Sequence, residues 1–317
     1  MNIEKLKEIV RTVLPSVDVV IGYKKGLDAL HPVPCFVTSP DEIDALVLNP
    51  ACTHNLAAYL PSLKKKTAVV VKGCESRTIV QLVQEGLIKR EDVVVIGVPC
   101  QGVISARKVM SAINHQPIIE ATFEDDAVVV KTKKGETRLM FRDVASDKCL
   151  ACRYPTPVLS DHLVGEQVEP KVDEKTAYQD IRDFDAQSLE ERRAYWLKEF
   201  DRCIRCYACR NACPMCVCRE SCIAETRDPH WMSQKATLNE KMMFHMIHAI
   251  HLAGRCTECG ECERACPMGI PVAKLKKKIN MEMKELFGYE PGISIDDKPP
   301  MYTFKVEEEK IEEHKIR

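Results

Sequence analysis

The sequence predicts two domains of different classes: an N-terminal α/β domain with a mostly parallel sheet, and an all-α C-terminal domain. Up to about residue 152, short β-branched runs alternate with segments of helical periodicity, which is typical of α/β layers. From about residue 188 onward, the apolar residues recur with helical spacing. A chain of 317 residues is also long enough for two domains that each bury a core.

Four strands and one helix carry the α/β prediction. We expect the strands at 17–22, 45–49, 67–72 and 92–98. The segment 76–89 has its apolar residues on one side, so 67–98 predicts one βαβ unit with parallel strands and a right-handed crossover. Residues 127–141 predict a hairpin that turns at 133–136 and ends or edges the sheet.

The domain boundaries follow changes in composition along the chain. Residues 1–152 form the predicted α/β domain, 153–187 a linker or wrapping arm, 188–290 the helical domain and 291–317 a charged tail. The arm has scattered prolines and no sustained period. Helical patterns cover 188–200, 232–254 and 271–288. The end of the tail is expected to be a solvated helix or a frayed end.

Composition excludes several classes of protein. With 46 basic and 47 acidic side chains, there is no overall charge that favours nucleic acid or an anionic membrane. The N-terminus reads as an amphipathic helix rather than a secretion signal, and no apolar run is long enough to span a bilayer. We therefore expect a cytoplasmic protein, in which the 17 cysteines favour metal binding over a disulfide scaffold.

Two matching cysteine patterns stand in the helical part. The first run is Cys203, Cys206, Cys209 and Cys213, and the second run is Cys256, Cys259, Cys262 and Cys266. Each run has the spacing Cys-x-x-Cys-x-x-Cys-x-x-x-Cys-Pro, which is typical of [4Fe-4S] sites in which the fourth cysteine binds the other cluster. We therefore expect Cys266 to complete the first cluster and Cys213 to complete the second.

Structural zinc is the alternative interpretation of these pairs, because zinc takes four sulfur or imidazole ligands. Two matched runs that end in Cys-Pro favour clusters. The spacer at 214–255 contains a long helical pattern, unlike the short spacer of compact bacterial ferredoxins. Residues 188–287 thus resemble the helical dicluster domains of the small iron–sulfur subunit of heterodisulfide reductase and of the succinate dehydrogenase iron–sulfur subunit. The resemblance implies an all-α dicluster ferredoxin-like domain.

Four further cysteines predict a third cluster in the α/β domain. Cys74 and Cys100 each follow the carboxyl end of a predicted strand, and the two strands belong to one βαβ unit. Ligands of open α/β sheets collect at that edge. Cys149 and Cys152 can reach the same edge, and four thiolates suit one more [4Fe-4S] cluster. The alternatives are that Cys74 and Cys100 are small buried residues, and that the other pair is a redox dithiol or half a zinc site.

The remaining cysteines have no complete ligand pattern. Cys216, Cys218 and Cys222 follow the first run, and spare or packing thiols are favoured over a further metal site. Cys35 and Cys52 lack a partner spacing and are expected to be structural.

Three histidines stand at every third position of one helical pattern. His245, His248 and His251 drift around such a helix, because the spacing i, i+3, i+6 does not keep one face. We therefore expect a buried or interface face rather than a metal or haem site.

Short pieces within residues 65–155 resemble a known family. KGCESR, GVPCQG and DKCLACRYP are similar to the coenzyme F420 hydrogenase/dehydrogenase beta-subunit family, which includes formate dehydrogenase beta subunits. The resemblance implies iron–sulfur clusters, a flavin (FAD), and transfer of electrons between a hydride carrier and a catalytic subunit. No Gly-x-Gly-x-x-Gly loop is present, so no residue is assigned to the flavin.

The sequence as a whole predicts an electron-transfer subunit of a cytoplasmic anaerobic oxidoreductase, such as a formate dehydrogenase, hydrogenase or heterodisulfide-reductase-like complex. Two or three [4Fe-4S] clusters would form its relay, and its partners would be catalytic and flavin-containing subunits. A flavin-bearing enzyme acting on F420, NAD(P) or a thiol, and a cluster-based redox sensor, are the alternatives. No basic and aromatic stripe suggests nucleic acid.

Overall fold

The computed structural model describes residues 2–218, 221–224, 233, 235–304 and 306–307. Its N-terminal part contains eight strands: β1 Val19–Lys24, β2 Val33–Val37, β3 Thr67–Val71, β4 Val93–Gly97, β5 Ile118–Phe123, β6 Ala127–Thr132, β7 Gly135–Met140 and β8 His162–Leu163. The helices of this part are α1 Ile3–Val13, α2 Gly73–Gln84, α3 Ala106–Ala112, α4 Phe141–Val144 and α5 Asp147–Leu150. The predicted N-terminal amphipathic helix is confirmed as α1.

The main sheet has the strand order β2-β1-β3-β4-β8. Strands β1, β3, β4 and β8 run parallel, while β2 pairs antiparallel with β1. Every residue of β3 is buried, as expected for a central parallel strand covered on both faces. The predicted βαβ unit is confirmed, because β3 and β4 are joined by α2 and pair from Thr67 opposite Val93 to Val71 opposite Gly97. The sheet is thus mixed rather than purely parallel.

The prediction of a strand at 45–49 is wrong. Residues Pro40–Ala45 form a 3-10 helix, and Leu46 makes only an isolated bridge to Lys24. Leu46 is buried although it belongs to no strand. The apolar residues of this segment are therefore buried in a loop, and their pattern resembles that of a buried strand. The antiparallel place beside β1 is instead taken by β2, a partly exposed strand with Pro34, as suits an edge strand.

The hairpin at 127–141 is confirmed as β6 and β7, but its predicted place at the edge of the sheet is wrong. With β5 it forms a separate three-stranded antiparallel sheet. Val128 and Val130 of β6 are fully buried against Val109 of α3, which gives this small sheet its own apolar contacts.

The C-terminal part is helical. It contains α6 Gln179–Asp185, α7 Leu189–Asp201, α8 Ala208–Asn211, α9 Leu238–Ile250, α10 Glu261–Ala265 and α11 Val272–Phe287. The helices predicted at 188–200 and 271–288 are confirmed as α7 and α11, whereas the pattern at 232–254 forms a helix, α9, only over Leu238–Ile250. Residues 232 and 234 of the second pattern lie outside the described residues, as does the end of the tail beyond 307. Helix α9 packs against both α7 and α11, and α8 packs against α10.

The segment 153–187 crosses the carboxyl ends of the central strands. The Cys100 amide donates to the Pro155 carbonyl at 2.9 Å. A Cβ on Gly73 would lie 1.7 Å from the Tyr154 carbonyl oxygen, so only glycine admits the segment at that point. The chain then adds β8 to the sheet and reaches α6, which packs on α11.

The two parts share a buried interface. Met215 and Leu252 belong to the same apolar cluster as the central strands. Glu85 at the end of α2 forms an ion pair with Arg255, with Nε and Oε1 2.8 Å apart. Residues 289–297 return to α2, where the Gln84 side chain donates to the Ser294 carbonyl at 2.6 Å. Among the described residues, no helix is long and apolar enough to cross a membrane.

Candidate metal centres

The two cysteine runs have the same backbone shape. In each run, the residues two and four positions after the first cysteine have a left-handed conformation: Arg205 and Tyr207 in the first run, Glu258 and Gly260 in the second. The third cysteine of each run then lies in the first turn of a short helix, α8 or α10. A left-handed backbone costs free energy for residues other than glycine. Because it occurs at the same positions in both runs, we infer that each cysteine loop needs this conformation to place its sulfurs.

Cys266 lies beside the first run. Burial raises the pKa of the Cys203 thiol, and the neighbouring sulfurs that raise it further are Cys266 and Cys206. Burial likewise raises the pKa of Cys209 to about 12, with Cys262, Cys266 and Cys203 adding to the effect. We call Cys203, Cys206, Cys209 and Cys266 the first-run site.

Cys213 lies beside the second run. Burial raises the pKa of Cys256, Cys259 and Cys262, and the charge of Cys213 raises each of these pKa values further. Cys213 is therefore near all three leading cysteines of the second run, and Cys266 is near Cys203 and Cys209 of the first run. We call Cys256, Cys259, Cys262 and Cys213 the second-run site.

Both sites fit a [4Fe-4S] cluster. Each offers four cysteines, and two backbone amides donate to sulfurs of the first-run site: Arg205 to Cys203 Sγ at 3.3 Å and Ile270 to Cys266 Sγ at 3.4 Å. Amides that donate to ligand sulfurs stabilise the charge of a cluster. A cluster of free thiols would gain little from such donors, since a neutral thiol is a weak acceptor.

The four cysteines predicted for a third cluster line one cavity. Cys74 lies at the start of α2, Cys100 follows β4, and Cys149 and Cys152 lie in and just after α5. Two amides point at its sulfurs: Gly102 to Cys100 Sγ at 3.3 Å, and Val103 to Cys149 Sγ at 3.4 Å. We call Cys74, Cys100, Cys149 and Cys152 the four-cysteine cavity, and its donors resemble those of the two runs.

Two lysines border this cavity. Lys72 is buried and forms an ion pair with Glu75, with Nζ and Oε1 2.6 Å apart. Lys148 has its Nζ 4.0 Å from Cys74 Sγ. Burial alone would lower the pKa of Lys148, but the charges of Cys74 and Cys149 raise it above its ordinary value. The cavity is therefore suited to a group with negative charge, such as a thiolate-bound cluster.

The four-cysteine cavity touches the second run directly. Thr257 and Glu258 line it from the helical part, and the Thr257 hydroxyl lies 2.9 Å from that of Thr78 in α2. Lys148 donates to the Cys259 carbonyl. A Cβ on Gly260 would lie 2.7 Å from Lys148 Cδ, so glycine at this left-handed position also leaves room for the lysine.

The other cysteines and histidines fall into several environments. Cys35 and Cys52 pack in the N-terminal core and do not line the cavity. Cys216 Sγ lies 3.3 Å from His248 Nε2, and the ligand atoms of Cys213, Cys216 and His248 all lie within 4.8 Å of one another. Cys222 is buried, whereas Cys218 is exposed.

His245 also contacts a sulfur. Its Nε2 lies 3.4 Å from Cys203 Sγ, and Phe200 stacks on its ring with centroids 4.6 Å apart. His248 is equally buried, while His251 is exposed. Of the three histidines, His245 and His248 are therefore buried and contact cysteine sulfurs, whereas His251 follows the end of the helix.

Sequence reasoning missed two lysines, Lys148 and Lys276, whose pKa values are raised by the charges of nearby cysteines. Lys148 is one charged residue in a polar stretch, and Lys276 is one of four lysines in the segment 274–278. Helical spacing could have separated Lys276 from its neighbours, because it shares a face with the buried residues Val272 and Asn280, four positions away on either side.

A second, larger cavity lies between the two parts. Its volume is about 530 Å³, and its lining includes His31, His54, Arg107 and Arg264. Lys148 and Val103 line both this cavity and the four-cysteine cavity. Burial lowers the pKa of His54 to about 4, so this histidine is neutral near pH 7. The size is in the range of sites for small organic ligands.

The chain is similar to several known proteins. Residues 199–270, which contain both runs, match the family described as 4Fe-4S dicluster domain. Over 91% of its length, the chain is 25% identical to the F420-dependent formate dehydrogenase subunit beta of Methanocaldococcus jannaschii, of which it covers 90%. It is 26% identical to the F420-dependent formate dehydrogenase 1 subunit beta of Methanococcus maripaludis, over 90% of this chain and 88% of that protein.

One solved structure shows a weaker likeness. The structure titled "Xenon derivatization of the F420-reducing [NiFe] hydrogenase complex from Methanosarcina barkeri" contains a chain that is 15% identical, with a TM-score of 0.36, over 47% of this chain and 58% of that one.

The similarity to beta subunits predicted from short motifs is confirmed, and it extends well beyond residues 65–155. The chain has a mixed-sheet N-terminal part and a helical part with a [4Fe-4S] dicluster domain. It is an iron–sulfur electron-transfer protein of the oxidoreductase class.

Proposed function

We propose that this chain is the electron-relay subunit of a cytoplasmic F420-dependent formate dehydrogenase or a closely related anaerobic complex. Three [4Fe-4S] clusters would form its relay, in the order four-cysteine cavity, second-run site, first-run site. The similarity to formate dehydrogenase beta subunits over most of the chain supports the class of complex. The observation that carries the relay is the contact between the four-cysteine cavity and the second run.

That contact supports the first step of the relay. Thr257 and Glu258 of the second run line the cavity in which Cys74 lies, and Lys148 contacts both Cys74 and the second-run loop. A cluster held by the cavity would therefore be separated from the second-run site by this one layer of residues. Electron transfer is favoured by such a packed, short connection between two sites.

The crossed arrangement of the two runs supports the second step. Cys262 and Cys266 stand at opposite ends of the short helix α10, so each end would bind a different cluster. The two clusters are thereby held by the same rigid element, a single helical turn apart.

The exposure of the first-run site supports the proposal that electrons leave the relay at the protein surface there. Cys206 is exposed, and the neighbouring Ile204 is 58% exposed. The ligands Cys203 and Cys209 are buried, so the site presents one edge to solvent. A catalytic or flavin-containing partner subunit could exchange electrons at this edge.

Anaerobic purification followed by metal analysis tests the relay. We expect about twelve iron atoms per chain, since three clusters hold four each. Stepwise reduction with dithionite should give electron paramagnetic resonance (EPR) signals from three [4Fe-4S] clusters. A colourless protein that contains zinc would overturn the proposal, and about eight iron atoms would restrict the relay to the two runs.

A flavin-bearing enzyme is the second candidate, and the larger cavity favours it. Arg107 would provide positive charge for a phosphate-bearing cofactor such as FAD, whereas Arg264 already pairs with Glu261 at 2.9 Å. Lys148 separates this space from the four-cysteine cavity. A bound flavin would accept a hydride and release single electrons. A yellow chromophore that is released by heat and has the mass of FAD would establish this candidate; its absence from the iron-loaded protein would favour a pure relay.

A further inference from the structure

Arg107 joins the α/β part to the first-run site. It lies in α3, and its Nη2 donates a hydrogen bond to the Cys266 carbonyl. Cys266 is the one proposed ligand of this site that the second run supplies. A side chain of the α/β part therefore contacts a site whose four proposed ligands all belong to the helical part.

The backbone that follows Cys266 leaves room for Arg107. Gly269 has a left-handed conformation with a φ of 63°, and a Cβ on it would overlap Arg107 Nη1. The Gly269 amide donates to the same Cys266 carbonyl at 3.2 Å, and the Ile270 amide donates to Cys266 Sγ at 3.4 Å. One turn thus binds both the guanidinium and the ligand sulfur, so we expect Arg107 to help fix that sulfur in place.

The same turn is also held from within the helical part. Arg202, which follows α7, donates to the Met268 carbonyl at 3.1 Å and forms an ion pair with Glu199. The turn from Cys266 to Ile270 therefore contacts two arginines, one from each part of the chain. Because Arg202 would remain, removal of the other arginine should alter the turn without unfolding it.

The second-run site has a matching contact with the α/β part. Lys148 donates to the Cys259 carbonyl, and the left-handed Gly260 leaves room for it. At both sites, a cation of the α/β part thus passes a left-handed glycine and donates to the carbonyl of a proposed ligand. Lys148 also lies 4.0 Å from Cys74 Sγ, so Arg107 offers the more selective test.

The charge of Arg107 is not balanced by an acidic side chain. Among the residues that the structure describes, no carboxylate oxygen lies within the 4.0 Å limit of a salt bridge to its guanidinium. Its neighbour Lys108 lines the same larger cavity but pairs with Asp147, with Nζ and Oδ1 2.6 Å apart. Of these two adjacent cations, only Arg107 thus brings an unbalanced positive charge to the carbonyl of a proposed ligand.

We propose that Arg107 is a positioning residue that holds Cys266 and raises the reduction potential of the first-run cluster. Side chains that hydrogen-bond around a metal centre orient its ligands and tune the metal. A [4Fe-4S] cluster gains negative charge when it accepts an electron, so a nearby positive charge stabilises the reduced form more than the oxidised form. The α/β part thus helps to set the potential of the last site in the proposed relay. This inference rests on the proposed first-run cluster.

An EPR-monitored redox titration of the full, iron-loaded chain tests this role. The signal that disappears in the Cys203→Ser/Cys266→Ser variant identifies the first-run cluster. We expect Arg107→Met to shift the midpoint of this signal downward, with the iron content unchanged. Arg107→Lys keeps a positive charge and should recover much of the natural midpoint. Lys108→Met is the matched control: its partner Asp147 lies in the α/β part, so the first-run midpoint should stay in place.

Each result has a distinct meaning. An unchanged first-run midpoint in an iron-replete Arg107→Met variant, or a shift confined to another cluster, would overturn the proposal while leaving the clusters established. If Arg107→Met loses about four iron atoms, Arg107→Lys and Lys108→Met decide. Retention of iron in both supports the positioning role, and loss in either overturns it. A natural protein that lacks the first-run signal would refute the proposed function itself.

Discussion

The ammonium of Lys148 lies 4.0 Å from Cys74 Sγ and also donates to the carbonyl of Cys259. One side chain from the α/β part thus contacts a sulfur of the four-cysteine cavity and the backbone of the second-run site. Gly260 leaves room for it, since a Cβ there would lie 2.7 Å from Lys148 Cδ. Lys148 therefore lies between the two sites and places one positive charge next to both.

The four-cysteine cavity is tested by substituting two of its sulfurs. We expect the double variant Cys74→Ser/Cys149→Ser to lower the iron content from about twelve to about eight atoms per chain, because serine does not replace a thiolate ligand of a cluster. Iron analysis of anaerobically purified protein measures this. The control is Cys35→Ser, since Cys35 is half-buried like Cys74 but does not line the cavity. Twelve iron atoms in the double variant would exclude the third cluster.

The crossed pairing of the runs predicts non-additive losses. Cys203→Ser/Cys266→Ser removes two sulfurs of one proposed cluster, so about four iron atoms should be lost. Cys203→Ser/Cys213→Ser removes one sulfur from each cluster, so the loss should reach about eight if one missing ligand is enough to lose a cluster. The same iron analysis compares the two variants. If the first pair loses more iron than the second, each run binds its own cluster and the crossed assignment is wrong.

Much of this arrangement could be predicted because it depends on local spacing and on strand order. The runs are defined by their spacing, and the parallel pairing of β3 with β4 follows from one βαβ unit, which brings Cys74 and Cys100 to one edge. The strand predicted at 45–49 failed for the opposite reason. Leu46 is buried by an irregular loop, and burial alone does not distinguish a loop from a strand.

The polar contacts that join the cysteine sites across the domain interface could not be predicted. Lys148 and Thr257 meet partners far away in the chain, so no local pattern indicates their contacts. The segment 289–297 is similar, because it contacts α2 through a buried hydrogen bond from Arg77 and a partly buried one from Gln84. Such long-range polar contacts leave no periodic signal in one sequence.

The ion pair between Glu85 and Arg255 should stabilise the domain interface. The Glu85 side chain is 3% exposed and that of Arg255 is 20% exposed, so Glu85→Gln leaves a largely buried guanidinium without its counter-charge. We expect a loss of about 2 to 3 kcal/mol in the free energy of unfolding. Anaerobic denaturant titrations, followed by the visible absorbance of the clusters, measure it.

A surface pair provides the comparison for Glu85. Lys5 and Glu8 lie 3.0 Å apart with side chains 45% and 67% exposed, so Glu8→Gln should change the free energy of unfolding by less than roughly 0.5 kcal/mol. If Glu85→Gln changed the free energy of unfolding as little as Glu8→Gln, the buried pair would add no stability to the interface. A loss confined to Glu85→Gln would assign the stability to the contact between α2 and the second run.

The pKa of Glu290 predicts how the free energy of unfolding depends on pH. Burial would raise its pKa, but the hydrogen bond from Arg153 at 2.8 Å and the charge of Arg77 hold the pKa at about 2. In the unfolded chain the group has an ordinary pKa near 4.5. Because the folded pKa is the lower one, the stabilising contribution is complete above the unfolded value and is lost as the pH falls toward the folded value.

The substitution Glu290→Gln removes this pH-dependent contribution. At pH 7 we expect the natural protein to be more stable than the variant by at most about 3 kcal/mol, the free energy that corresponds to the lowered pKa. The difference should stay constant from pH 7 to about 5.5 and shrink between about 5 and 4, as the unfolded chain begins to bind the proton. Denaturant titrations of both proteins across this range measure the difference. A gap that grows as the pH falls would mean that Glu290 has a raised pKa, and that Arg153 and Arg77 do not stabilise its charge.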